Sequence, residues 1–118
     1  MRRPEQALPA GVPPLHPGRQ LRDHVLPGLG LSFSQAAREL GAARSTLHRL
    51  LAGEQAVTPE MATRLARLSG VPARHWLAHQ QAHDLWHAER ALADVLSRIP
   101  AHMLLRVLQE EIGAAARD

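Results

Sequence analysis

Between Gly41 and Gly53 the chain gathers Arg44, Ser45, Thr46, His48 and Arg49, side chains that bond to phosphate oxygens or to base edges. An Arg fork fits the paired acceptors of guanine or a phosphate, and the hydroxyls of Ser and Thr serve either. The surrounding spacing suggests how they are held. Ala37, Gly41, Leu47 and Leu50 lie four, six and three residues apart. That order supplies a small residue where two helices nearly touch, a glycine for the tight turn, and two apolar residues that lock the second helix onto the first. With Leu47 and Leu50 inward, the polar set faces outward, as insertion into a DNA groove requires. Ordinary helical hairpins use the same apolar spacing, so plain packing stands beside the nucleic-acid reading.

Other chemistry-bearing residues suggest less. His75, His79, His83 and His87 recur every fourth residue, and two imidazoles at that interval can share a zinc or nickel ion. Each step turns the stripe by about 40°, so all four cannot converge on one ion, and packing or an interface is the expected role. Glu110 and Glu111 are adjacent and face different ways on a helix. Ser45 and His48 could bond to each other, but the spacing suggests no third group to orient them. No glycine-rich phosphate loop follows a strand. The absence of cysteine removes thiolate catalysis and disulfides. The expectation is a protein without catalytic residues, metal or cofactor, and not an enzyme.

The elements that must position these residues follow from composition and punctuation. A length of 118 residues suits one domain. Apolar residues make up 45% but aromatics only 3%, with Ala and Leu dominant and Tyr absent, which favours helices over strands. All 14 basic residues are Arg. Residues 1–74 hold ten Arg against five acids, and residues 75–118 hold four against six, so a basic front half and a mildly acidic back half point to two kinds of partner. No apolar run approaches the ~18 residues of a membrane span, and Met1-Arg2-Arg3-Pro4-Glu5 leads into prolines, so a soluble, cytoplasmic protein with no membrane contact is expected.

Residues 1–16 carry five of the breakers (Pro4, Pro9, Gly11, Pro13 and Pro14) and read as a flexible Pro-rich arm. Pro17 opens a helix with Leu21, Val25 and Leu26 on one face, ended by Pro27-Gly28-Leu29-Gly30. Ser32 and Gln35 form a capping box for a second helix through Leu40, closed by Gly41. A third helix carries Leu47, Leu50 and Leu51 and stops at Gly53. Thr58 caps a fourth, with Pro59 at its first position and Met61, Leu65 and Leu68 inward before Gly70. A long uninterrupted helix is predicted from Ala73 to about Arg98, and after Pro100 a last amphipathic helix carries Met103, Leu104, Val107, Leu108 and Ile112. Leu85, Ala88, Leu92, Val95 and Ile99 form a seam spaced three and four apart, which serves either to hold the final helix on the body or to pair two copies. Trp76 and Trp86 are expected as core anchors.

The run Gly41-Ala42-Ala43-Arg44-Ser45-Thr46-Leu47-His48-Arg49-Leu50-Leu51-Ala52-Gly53, followed by Val57-Thr58-Pro59-Glu60-Met61-Ala62, resembles the Xre/Cro-type DNA-binding domain of HigA-family antitoxins. His16-Pro17-Gly18 resembles their entrance motif, and Trp76-Leu77 with Asp84-Leu85-Trp86 resembles two further segments, so the likeness spans residues 16 to about 88. It implies a five-helix, lambda-repressor-like helix-turn-helix domain; the helices read above make the expected fold all-α, with an additional C-terminal helix that belongs to the stretch beyond residue 88, outside the resemblance. It further implies a homodimer on operator DNA that neutralises a HigB-type toxin, a RelE-like ribonuclease. The DNA-facing set it implies is Ser34, Gln35, Arg44, Ser45, Thr46, His48 and Arg49. The corresponding division is an arm at 1–16, a DNA-binding domain at 17–72, and a dimerising or toxin-contacting region at 73–118. Three positions depart from the family pattern. Ala43 replaces a capping Ser or Thr, a loss of about 1 kcal/mol of helix stability. Phe33 replaces a Gln that touches phosphate, and Ala36 replaces a larger core residue. Two other functions remain compatible with the sequence: a stand-alone Xre-type regulator without a toxin, and a helical interaction module whose Arg face is merely solvated.

Overall fold

The computed structural model describes residues 11–117, and every regular element among them is helical. In chain order these are α1 (Pro17–Gln20), a π-helical turn (Leu21–Val25), α2 (Leu26–Leu29), α3 (Phe33–Leu40), α4 (Arg44–Leu51), α5 (Pro59–Ser69), α6 (Ala73–Ala91), α7 (Ala93–Arg98) and α8 (Arg106–Arg117). None is long and apolar enough to cross a membrane.

The first helical stretch ends within Pro27-Gly28-Leu29-Gly30, as the sequence suggested, and does so at the last of them, running on past Pro27. The Leu26 N–H donates five residues back to the Leu21 carbonyl, and helical backbone continues to Gly30 at φ 67°. The wider π turn just before Pro27 lets the helix pass a residue that has no N–H to give. His16 caps the start: its Nδ1 accepts the Gly18 N–H at 2.9 Å. Of the arm expected over 1–16, residues 1–10 lie outside the described residues, and its end is packed rather than free. His16 is buried, and His83 Nδ1 donates to the Pro14 carbonyl at 3.0 Å.

Leu21, Leu47, Leu50 and Leu65 are fully buried, and Trp76 is 2% exposed beside them. The core therefore draws on the first helix, α4, α5 and the start of α6. Gly18 permits the closest approach in it, since a Cβ there would stand 1.8 Å from the Leu50 carbonyl oxygen. No larger residue fits while the first helix crosses α4 at this distance. Gln80, also buried, bridges two elements. Its Oε1 accepts the Val57 N–H at 2.8 Å and its Nε2 donates to Asp84 at 2.9 Å.

The long helix expected from Ala73 to Arg98 breaks at Leu92, whose φ of −101° and ψ of 8° leave the helical region. No Gly or Pro marks the place; Asp94 lies in the first turn of α7, where a carboxylate favours a helix start. Trp86 is not a core anchor: it is only partly buried, with the Arg90 guanidinium stacked 3.7 Å above its ring. Beyond it every residue from His87 to Ile112 is exposed.

Candidate nucleic-acid interface

The α3–turn–α4 unit is built as the spacing required. Ala36 and Ala37 are buried where the helices meet, and Gly41 makes the turn at φ 66°. The Gly41 N–H donates to the Arg38 carbonyl, and the Ala42 N–H to that of Ala37, which closes the end of α3. Leu47 and Leu50 are wholly buried and fix the roll of α4. Arg64 of α5 then clamps the turn from behind. Its Nη1 donates to the Leu40 carbonyl at 2.7 Å and to that of Gly41 at 3.3 Å, and its Nη2 donates to Glu60 at 3.0 Å. The Glu60–Arg64 interval is visible in sequence as an i,i+4 pair; the reach of the same guanidinium across to the turn is not.

This mounting leaves Arg44, Ser45, His48 and Arg49 exposed on the outer face of α4. Thr46 is turned partly inward, into a cleft shared with Ala43, Thr58, Glu60 and Arg64. On α3, Ser34 is exposed at the outside, whereas Gln35 is already engaged. The Ser32 hydroxyl accepts the Gln35 N–H at 3.1 Å, but the Gln35 amide donates to Glu39 at 2.7 Å instead of reaching back. The capping box forms only its forward half. Glu39, one turn later, offers a charged acceptor, and hydrogen bonds to ions are the stronger kind.

The exposed set divides into two groups. Phe33, at the first position of α3, carries the Arg44 guanidinium 5.8 Å from its ring centre and the His48 ring edge-on at 6.1 Å. The aromatic that stands where a phosphate-touching Gln was expected thus supports two side chains of α4. Arg49 is held separately, its Nε donating to Gln55 Oε1 at 3.2 Å, which leaves its terminal nitrogens uncommitted to that bond. The supporting roles of Phe33 and Gln55 lie outside what sequence spacing shows, because both contacts cross between elements. Ala43 gives α4 no side-chain cap, so the first N–H groups of the helix stay open to water or to an anion.

The histidine stripe does not act as a unit. His75 and His79 are exposed, while His83 packs between the His16 ring at 5.1 Å and the His87 ring at 4.5 Å. Among the described residues, no group of His, Asp and Glu has the arrangement of a metal site. Burial holds His16 below the ordinary imidazole value, and the neighbouring His83 pushes the same way against an opposing pull from Asp84.

The family model for a helix-turn-helix domain matches residues 18–78, more than half of the chain. The chain belongs to the helix-turn-helix family, in its Xre-type branch. In helix-turn-helix terms α3 and α4 are the two helices of the motif, and α4 is the one such proteins lay in the major groove. Virulence-associated protein I of Dichelobacter nodosus is 34% identical over 97 residues, which cover 80% of this chain and 90% of that protein. The antitoxin GraA, solved in complex with its operator, superposes with a TM-score of 0.72 at 31% identity and covers 83% of this chain and all of its own. The Pseudomonas aeruginosa antitoxin HigA, solved with the higBA promoter, gives a TM-score of 0.71 at 27% identity over 77% of this chain and 99% of its own. The HigA-type resemblance of the sequence is thus matched by the fold.

Proposed function

We propose that this protein is the antitoxin and autorepressor of a toxin–antitoxin pair, binding operator DNA as a homodimer and neutralising a RelE-like ribonuclease toxin of HigB type. The observation that carries the reading is the outer face of α4. Arg44, Ser45, His48 and Arg49 project from a helix locked by Leu47, Leu50 and the Arg64 clamp, in a fold shared with antitoxins solved on their own operators.

In this reading residues 17–72 bind DNA, with Ser34 and Gln35 flanking the groove helix. Residues 73–118 supply the dimer and toxin contacts. Arg44 and Arg49 carry the charge that meets phosphate or guanine, and the uncapped start of α4 adds backbone donors for a phosphate. A two-fold operator needs two such helices about 34 Å apart, hence the dimer. The test pairs a promoter gel shift with co-purification of a tagged neighbouring gene product; a specific, salt-sensitive shift together with a stable complex supports the reading. A shift without any toxin complex favours the alternative, a stand-alone Xre-type regulator.

A further inference from the structure

At the C-terminal end of α4 four parts of the chain enclose a cavity of about 280 Å³. The strap at 13–15, Arg19 of α1, Gly53 after α4, and His83 and His87 of α6 line it together with the buried His16. Arg19 stands over the turn that ends α4: a Cβ on Gly53 would meet the Arg19 Nε at 4.0 Å and the His16 Cγ at 3.6 Å. The lining holds three imidazoles and one guanidinium and no carboxylate. Asp84, the acid that acts on His16 from nearby, already accepts from the Gln80 amide at 2.9 Å. Among the described residues Arg19 makes no ion pair. His83 and Arg19 both push His16 away from its charged form, as positive groups do when they are gathered without a counter-ion.

The rings are held in place. His16 Nδ1 accepts the Gly18 N–H at 2.9 Å, His83 Nδ1 donates to the Pro14 carbonyl at 3.0 Å, and the His87 ring lies 4.5 Å from that of His83 and 4.9 Å from that of Trp86. Backbone bonds of this kind fix the tautomer and orientation of an imidazole. They also disfavour a metal. With Nδ1 accepting, neutral His16 carries its proton on Nε2 and has no lone pair left for a cation. An anion asks for the opposite, ring N–H groups and a guanidinium fork. Because its Nδ1 hydrogen is committed to Pro14, His83 can donate to a ligand only through a protonated Nε2, so the anion takes up a proton from solvent as it binds. The negative end of the α4 dipole opposes an anion here, but its last carbonyls are occupied: the N–H groups of Ala52, Gly53 and Glu54 bond to His48, Leu50 and Arg49. We propose that this cavity binds a phosphate group, with Arg19, His83 and His87 as its contacts. Two sources of that group fit the place. One is the DNA backbone, since the cavity adjoins the end of the helix assigned to the groove, and the other is a free phosphomonoester acting as an effector. Only the first source rests on the reading above.

Inorganic phosphate is the probe, added to the full chain against chloride at equal ionic strength and followed through the imidazole resonances by NMR. Saturable shifts are expected at His83 and His87. Arg19→Gln and His87→Gln alter exposed side chains and so keep the fold, and each should weaken phosphate about tenfold, the weight of one charge-assisted hydrogen bond. Sulfate, which stays a dianion from pH 8 to pH 6, should bind more tightly at the lower pH. Gel shifts identify the source. If DNA supplies the phosphate, Arg19→Gln weakens the promoter and an unrelated duplex alike and lowers the salt slope by about 0.9. If a free phosphomonoester does, the variant binds DNA as the wild type does while phosphate still titrates the wild type. Four results overturn the proposal: no saturable shift up to tens of millimolar phosphate, equal affinity in the wild type and both variants, sulfate binding that does not strengthen as the pH falls, and resonances that respond to zinc but not to phosphate. A promoter shift without any phosphate response overturns the cavity alone, and phosphate binding without a promoter shift overturns the repressor reading alone.

Discussion

Phe33 shows how a single side chain can change its job without disturbing the fold. Its ring lies beneath Arg44 and beside His48, so it restricts two flexible residues on the face proposed to meet DNA. An exposed cation–π contact contributes about 0.5–1 kcal/mol, and Phe33→Ala is expected to weaken operator binding by that amount when measured well below the melting temperature, which itself falls because the ring also packs partly buried against the core. Equal operator affinity in a fluorescence titration would remove Phe33 from the site. Gly18 tests the packing instead. With a Cβ placed 1.8 Å from the Leu50 carbonyl oxygen, Gly18→Ala should destabilise by about 1–3 kcal/mol, seen as a lower urea midpoint. His16 adds a pH dependence. Its folded pKa lies below the ordinary 6.5, so the unfolded chain binds the proton more readily. The His16 contribution is therefore complete above pH 6.5 and declines as the pH falls through and below it. His16→Asn keeps an oxygen for the Gly18 N–H and cannot titrate in this range, so melting curves from pH 7.5 down to 5 should fall less steeply than wild type. Parallel slopes would place the pH dependence elsewhere.

Elements differ in how openly the sequence declares them. Helix ends written in local chemistry were legible: the Ser32 hydroxyl caps α3, Thr58 with Pro59 starts α5, and Gly41 closes α3. The Ala37–Gly41–Leu47–Leu50 spacing likewise located the motif and the outward face of α4, because those residues obey helix periodicity. What was not legible depends on choices between competing partners. Gln35 had two acceptors within reach and took Glu39; Trp86 found Arg90 above it rather than a core beneath it. Passage through Pro27 required a change of hydrogen-bond register that no residue type announces, and nothing in the structure explains the break at Leu92. The clamp on the turn is a relation between elements of the same kind. Arg64→Ala should cost about 1–2 kcal/mol through the two turn carbonyls it leaves, since the pair with exposed Glu60 adds little. Chemical denaturation checks this, and a loss below a few tenths would mean that water replaces the guanidinium without penalty.

At the scale of the whole molecule, the uneven charge along the chain acquires a spatial meaning. The Arg-rich front half contains α4 and its supports, whereas the back half contains the unpartnered apolar face of α7 and α8. One half is suited to a polyanion and the other to a protein surface. The central claim is that the outer face of α4 reads operator DNA, and the most direct measurement is a promoter gel shift over a salt series with wild type, Arg44→Ala and Arg49→Ala. Each Arg that touches a base should cost about 1–3 kcal/mol on the promoter and relax preference at one position. Each that touches phosphate should weaken all sequences alike and reduce the salt slope by about 0.9. If both variants bind the promoter with wild-type affinity and wild-type salt slope, α4 does not enter the groove and the account is wrong.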